Sequence, residues 1–292
     1  MGHTMKATAA LVYEVFKIRI GFAIMLSALA GYAVTPGVQL DAWQLAGLAL
    51  AVLGSSAAAG AFNHYIERDL DACMRRTRKR PFVTGRLEAD GRWLMGIALL
   101  LAVSVALAGW VGGGMAALYV FLGAITYGVV YTVWLKRRTA WNIVVGGLAG
   151  SFAVLGGAAA ADPAPGAVPW VLAVVLFLWT PPHFWSLATA LREDYAQAGV
   201  PMLPVVVGDG PAAWIILGHT VALVAASLVP LALGFGWIYG SLALIGGGLF
   251  IQRSIALVKS PDRAHAMANF HASLVQLTLV LAGAMIEGPG LA

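Results

Sequence analysis

An all-α membrane protein is what this sequence predicts, and three observations predict it. The chain is 60% hydrophobic and only 11% charged over 292 residues, a balance typical of polytopic membrane proteins and one that a soluble core of this length does not need. Its apolar residues gather into runs of roughly 20, the length an α-helix needs to cross a bilayer. Its Lys and Arg fall only between alternate runs, as expected if those loops share one side of the membrane.

Nine segments satisfy the length criterion, near 18–36, 43–66, 93–111, 115–134, 140–160, 168–190, 212–233, 237–252 and 267–286. The eighth is short and Gly-rich. The run from Ile18 to Val34 is too long for a signal-peptide core and stays as an anchor; no Arg- and Ser-rich amphipathic presequence precedes it. That favours a bacterial inner membrane over an organelle. With a cytoplasmic N-terminus, the tail and every second loop hold Lys6, Lys17, Arg19, the cluster from Arg68 to Arg92, Lys136, Arg137, Arg138, Arg192, Arg253, Lys259 and Arg263, while the opposite loops carry only Asp41, Asp162 and Glu287. The net charge of +5 is thereby explained by topology and lipid headgroups, so no nucleic-acid partner is expected. The single cysteine, Cys73, excludes an internal disulfide and any multi-cysteine metal site.

The stretch from Asn63 to Pro81, at the end of the second segment, concentrates the chemistry. If the helix continues, Asn63, Glu67 and Asp71 stand at i, i+4 and i+8 on one face. That face offers oxygen ligands only, which suits Mg²⁺, an ion bound by one or two carboxylates and by substrate phosphates. Arg75, Arg76, Arg78, Lys79 and Arg80 follow, and the guanidinium fork matches phosphate oxygens. An ordinary helix end with acids paired to neighbouring Arg would use the same spacing, but carboxylates beside a bilayer are costly and usually functional. The basic run divides: one or two of Arg75, Arg76, Arg78 and Arg80 grip diphosphate and the rest fix topology. Asp69 points off this face towards a solvated partner.

A second polar segment follows the sixth run, from Trp179 through Asp194 to Pro204. Pro181 and Pro182 are expected to kink or break the helix and to aim His183 and Asp194 at a cavity, with Asp194 either an ordinary solvated loop acid or the mark of a second Mg²⁺ site. His64 and His183 are either satisfied polar residues or contacts to an acceptor, including a haem iron. Tyr131, Lys136 and Arg137, at the end of the fourth run, read as an interfacial belt or as diphosphate contacts.

Asn63-x3-Glu67-x3-Asp71 with Met74-x-Arg-Thr-x-x-Arg-Pro81 resembles the first aspartate-rich motif of the UbiA superfamily of intramembrane prenyltransferases. Pro182-His-Phe-Trp185, Asp194-Tyr195 and Val200-Pro-Met-Leu-Pro204 resemble the second region of its protoheme IX farnesyltransferase (haem O synthase) branch. Tyr131-Thr-x-x-Leu-Lys-Arg-Arg-Thr139 with Asn142, and Lys17-x-Arg19, are similar to the same branch. Ala190 stands where many members place another acid. The resemblance implies one domain over residues 1–292, nine helices around a central cavity, and transfer of a farnesyl group from farnesyl diphosphate to a vinyl group of haem b. It further implies Mg²⁺ held by Asn63, Glu67, Asp71 and Asp194, and a downstream haem A synthase or terminal oxidase. A quinone precursor or other ring is the alternative acceptor. A transporter of an anionic lipid or metabolite is the alternative of another class, although transporters carry their polar groups near the midplane and here the acids cluster at helix ends.

Overall fold

The computed structural model describes residues 10–289; Lys6 lies outside them. Among the described residues there is helix and no strand. In chain order the elements are α1 (Ile18–Ala33), α2 (Ala42–Ile66), α3 (Arg68–Cys73), α4 (Gly91–Ile125), a π-helix (Thr126–Leu135), α5 (Asn142–Gly146), α6 (Leu148–Ala161), α7 (Ala167–Ala190), α8 (Arg192–Gln197), α9 (Leu203–Val207), α10 (Asp209–Ala232), α11 (Trp237–Lys259) and α12 (Arg263–Glu287). Seven helical stretches are long and apolar enough to cross a membrane, counting Gly91–Leu135 and Asn142–Ala161 as one each, and α1 is a shorter apolar helix.

The stretch Gly91–Leu135 is not one rod. Gly113 sits at φ 81° and ψ 175° inside α4, a left-side conformation that costs a glycine little. A Cβ on Gly109 would lie 3.4 Å from that of Ala117, whereas eight residues of unbroken helix would separate them by about 12 Å. The chain therefore doubles back at Gly113, and two antiparallel arms stand where the sequence predicts separate segments at 93–111 and 115–134.

Three expectations need correction. The helix expected at 18–36 ends at Ala33, ahead of Thr35-Pro36, because a residue preceding proline is steered out of the α region. The segment expected at 237–252 continues to Lys259; the added turns are amphipathic and invisible to an apolar-run criterion, and the helix stops only at Ser260-Pro261. Pro181 and Pro182 do not break α7, which runs through both. Thr180 Oγ1 donates to the Leu176 carbonyl and Ser186 Oγ to that of Pro182, and Gly147 lets α6 approach so closely that a Cβ there would lie 3.3 Å from the Phe177 oxygen. Packing and local hydroxyls sustain the proline-bearing turn, as is usual in membrane helices. The break comes later, at Leu191.

α6 packs against α1, α4 and α7, and α12 against α11, α7 and α1, so the last helix closes the bundle on the first. Lipid-facing helices gain no hydrophobic drive from pairing and rely on close backbone approach. The α1–α6 crossing is of this kind: a Cβ on Gly157 would sit 1.7 Å from the Ala28 oxygen, and one on Gly31 would sit 2.0 Å from that of Val154. Gly157→Ala is expected to lower thermal stability in detergent by about 1–3 kcal/mol, the usual cost of overpacking. Gly218→Ala, with nothing within 4 Å of its added Cβ, should melt like the parent. Buried Ser186, Thr220, Ser254 and Asn269 join α7, α10, α11 and α12 through hydrogen bonds of 2.9–3.1 Å.

Charge sorts the two ends of the bundle. Every ion pair among the described residues joins loops and helix ends at the end where α2, the π-helix, α7 and α11 finish. At the opposite end the acids bind backbone instead. Asp41 forms a capping box with Gln44, and Glu287 accepts from the Gly236 and Ile238 amides at the start of α11, satisfying donors that a helix start leaves free.

Candidate active site

α2 ends at Ile66 and the backbone bends into α3 at Glu67, yet Glu67 N–H still donates to the Asn63 carbonyl and Asp71 N–H to that of Glu67. The i, i+4, i+8 register thus survives the bend. Asn63, Glu67 and Asp71 are all buried, at 2%, 2% and 3% exposure, whereas Asp69, about 200° round the helix from Asp71, is exposed.

Each buried acid faces a base. Lys136 Nζ lies 2.6 Å from both Glu67 oxygens. Arg80 Nη1 lies 2.6 Å from Asp71 Oδ2, because successive turns over residues 74–84 fold the basic run back on itself and Thr77 Oγ1 donates to the Asp71 carbonyl. Arg75 leaves the same run in the other direction, its Nε donating to Asp194 Oδ1 at 2.9 Å and its Nη2 reaching Glu193. Asp194, 4% exposed on α8, is thereby tied to the first motif. Leu70 and Met74 pack in one apolar cluster with Tyr131, Trp185, Tyr195 and Met202, which holds the two polar segments together from beneath.

The π-helix supplies the third wall. In an α-helix residues 127 and 132 would stand about 140° apart; a wider i to i+5 turn, often found at functional sites, brings them nearer one face. Lys136 N–H donates to the Tyr131 carbonyl and Thr132 Oγ1 to that of Tyr127, both five residues back. Thr132 accepts from Asn63 Nδ2, Lys136 meets Glu67, and Tyr127 stacks on Tyr131 at 5.6 Å. Lys17 completes the cluster. It sits in the left-handed region at φ 48°, a strained state that surrounding contacts must hold, and its Nζ donates to Asn63 Oδ1 and to Tyr127 OH.

The other predicted residues are distributed differently. Arg137 pairs bidentately with Asp69 at 2.6 Å and lines an outer cleft of about 480 Å³ with Ile66, Arg68 and Phe82, not the Glu67 side. Its guanidinium holds the Asp69 carboxyl below the usual range. Arg76 and Arg78 are exposed. His64 is buried, its Nδ1 without a partner. His183 stacks between Trp179 and Phe270. Lys17 and Thr132 fall within stretches that carry the family resemblance, but no spacing assigns them to this cluster, and Tyr127 is marked by no pattern because none announces the π-turn.

No three His, Cys, Asp or Glu side chains converge as a ready-made metal cage among the described residues. A Mg²⁺ ion bound with a diphosphate needs only one or two carboxylates, and buried, oxygen-only Asn63, Glu67 and Asp71 meet that requirement. The bases that neutralise these acids are of the kind that bind phosphate oxygens.

Known proteins resemble this chain in sequence and in fold. The chain is 56% identical over 283 residues to protoheme IX farnesyltransferase 2 of Paramagnetospirillum magneticum, covering 97% of this chain and 98% of that protein. It is 48% identical over 271 residues to protoheme IX farnesyltransferase 1 of the same organism, covering 91% and 94%. In fold it is similar to a digeranylgeranylglyceryl phosphate synthase structure, with a TM-score of 0.78 at 18% identity over 96% of this chain and 98% of that one. It is similar also to a UbiA homolog from Archaeoglobus fulgidus bound to GPP and Mg²⁺, with a TM-score of 0.70 at 16% identity over 94% and 99%. Residues 24–279 match the UbiA prenyltransferase family, and with that match, these relatives and a helical bundle of the same fold, the chain belongs to the UbiA prenyltransferase family.

Proposed function

We propose that this chain is a protoheme IX farnesyltransferase: it transfers the farnesyl group of farnesyl diphosphate to a vinyl group of haem b and releases diphosphate. The observation that carries this reading is the 56% identity to a protoheme IX farnesyltransferase across 97% of the chain. In the reaction the bond between farnesyl C1 and the diphosphate oxygen breaks, C1 joins the vinyl group, water adds its oxygen to the resulting carbocation, and a proton leaves. Membership of a prenyltransferase family sets aside the transporter alternative; a quinone precursor remains the competing acceptor that the experiment below separates.

Asn63, Glu67, Asp71 and Asp194 would hold Mg²⁺. Bound there, the ion supplies charge neutralisation of the leaving diphosphate. Lys136 and Arg80 release Glu67 and Asp71 to take diphosphate oxygens, with Arg75, Arg76 and Arg78 drawing the anion in from solvent. Lys17 and Tyr127 orient Asn63. Preorganised charges of this kind, shielded from water, act on the transition state without reorganising. Tyr127 and Tyr131 offer aromatic faces to a developing cation. The reading places the protein as one domain with nine spans in a bacterial inner membrane, its charged end cytoplasmic. Its product would pass to a haem A synthase or terminal oxidase.

The test is to supply purified protein with haem b, farnesyl diphosphate and Mg²⁺ and to follow the haem by mass. A gain of one farnesyl group and one hydroxyl group is expected, lost on chelation and restored by added Mg²⁺. Unchanged haem, with diphosphate released once phenolic acceptors are offered, would move the acceptor to a quinone precursor.

A further inference from the structure

His183 lies on α7 with its ring sandwiched between Trp179, centroids 4.1 Å apart, and Phe270 of α12, 4.4 Å apart. Its Nδ1 is 2.7 Å from Ser273 Oγ. A serine hydroxyl has one proton to donate, and Ser273 gives it to the Phe270 carbonyl at 2.6 Å. The arrangement that satisfies both contacts at once has Ser273 donating to the Phe270 carbonyl and the imidazole Nδ1–H donating to Ser273 Oγ. A neutral ring protonated on Nδ1 carries its free lone pair on Nε2, and this is the form in which histidine ligates a metal. Trp179 Nε1 donates to the Ser273 carbonyl at 2.8 Å, so one residue of α12 fixes both the tautomer and one wall of the sandwich.

Nε2 has no hydrogen-bond partner among the described residues, and it is not among the polar atoms sealed from solvent without one, as His64 Nδ1 and Trp185 Nε1 are. The accessible surface His183 retains, 7% of the residue, thus includes its unprotonated nitrogen.

We infer that His183 Nε2 ligates the iron of the haem acceptor, and that Ser273, with its own proton fixed on the Phe270 carbonyl, is the positioning residue that keeps His183 in the ligating tautomer. The inference rests on the haem reading proposed above and adds to it the contact by which the protein holds the acceptor's metal. Binding adds one nitrogen–iron bond and transfers no electron.

The experiment titrates the purified full chain, without prenyl substrate, with haem b and separately with metal-free protoporphyrin IX. Soret absorbance, porphyrin fluorescence and the electron paramagnetic resonance of the ferric haem are the readouts. Loss of an outer hydrogen bond to a ligating histidine weakens metal affinity roughly 10–100-fold, so Ser273→Ala is expected to weaken haem b by that factor and to leave metal-free porphyrin unchanged. Ser273→Thr, which keeps the hydroxyl, should retain the parent spectrum. His183→Ala is expected to lose the histidine-ligated signature and to regain it with added imidazole. Equal weakening of both porphyrins in His183→Ala, or an iron spectrum that does not change, would overturn the ligation while leaving haem as acceptor. A parent protein that binds farnesyl diphosphate but neither porphyrin would overturn the haem reading and this inference together.

Discussion

Replacing Asp71 with Asn is expected to lower farnesyl transfer by roughly 10²–10³-fold, the cost of removing one preorganised electrostatic group from a site of this type. Asp71 is 3% exposed and sits 2.6 Å from Arg80, whose side chain is itself only 14% exposed. The substitution therefore does two things: it removes a carboxylate from the candidate Mg²⁺ face, and it leaves a mostly buried guanidinium without its counter-charge. Breaking a buried pair from one side is strongly destabilising because the surviving charge stays uncompensated. A second variant separates the two effects. Asp71→Asn combined with Arg80→Ala removes the stranded cation, so its melting temperature should recover most of what Asp71→Asn loses, while transfer stays at the low level. Recovery of activity together with stability would reduce Asp71 to a structural partner of Arg80. The measurements are initial rates of haem product by mass and thermal melts in the same detergent.

Lys136→Met is expected to be nearly as damaging and to act through the donor substrate. Lys136 Nζ lies 2.6 Å from both Glu67 oxygens, its side chain 12% exposed against 2% for Glu67, and it stands 5.7 Å over the Tyr131 ring. An ammonium held this way can turn from carboxylate to diphosphate without moving its backbone. Loss of a charged hydrogen bond is worth about 1.5–3 kcal/mol, so kcat/KM for farnesyl diphosphate should fall roughly 10–150-fold, with the KM for haem little changed. Adding Glu67→Gln to Lys136→Met relieves the unpaired buried carboxylate and should restore stability but not kcat/KM. Lys136→Arg should rescue poorly, since a broader planar fork does not replace a compact ammonium in a closed pocket.

The one-sided distribution of charge was legible from the sequence because it depends on local composition: an apolar run long enough for a bilayer has few alternatives to helix, and Lys and Arg sort by loop. The Asn63, Glu67 and Asp71 register was legible for a related reason, since a spacing of four survives even where the helix bends at Glu67. The same local rules misjudged α7 and α11. Neighbours that rescue a proline turn, and amphipathic turns that outrun the apolar core, are contacts and not composition.

The partner of each charge was decided only in three dimensions. Sequence distance gives no means of pairing Lys136 with Glu67, 69 residues away, or Arg75 with Asp194, 119 residues away. Nor does it show that Arg137 turns outward to Asp69 while Lys136, its neighbour, turns in. Lys17 became a site residue because a left-handed backbone and the closeness of Gly60, whose added Cβ would lie 3.3 Å from that of Lys17, bring its Nζ to Asn63. Tyr127 and Thr132 joined it through a π-turn that no spacing rule announces. The sequence by itself determined which chemistry could occur, oxygen ligands and cations at one end of an apolar bundle. Which groups meet was determined by helix packing, because only tertiary contacts fix the rotation of one helix against another, and that rotation chooses the side chains that face the site.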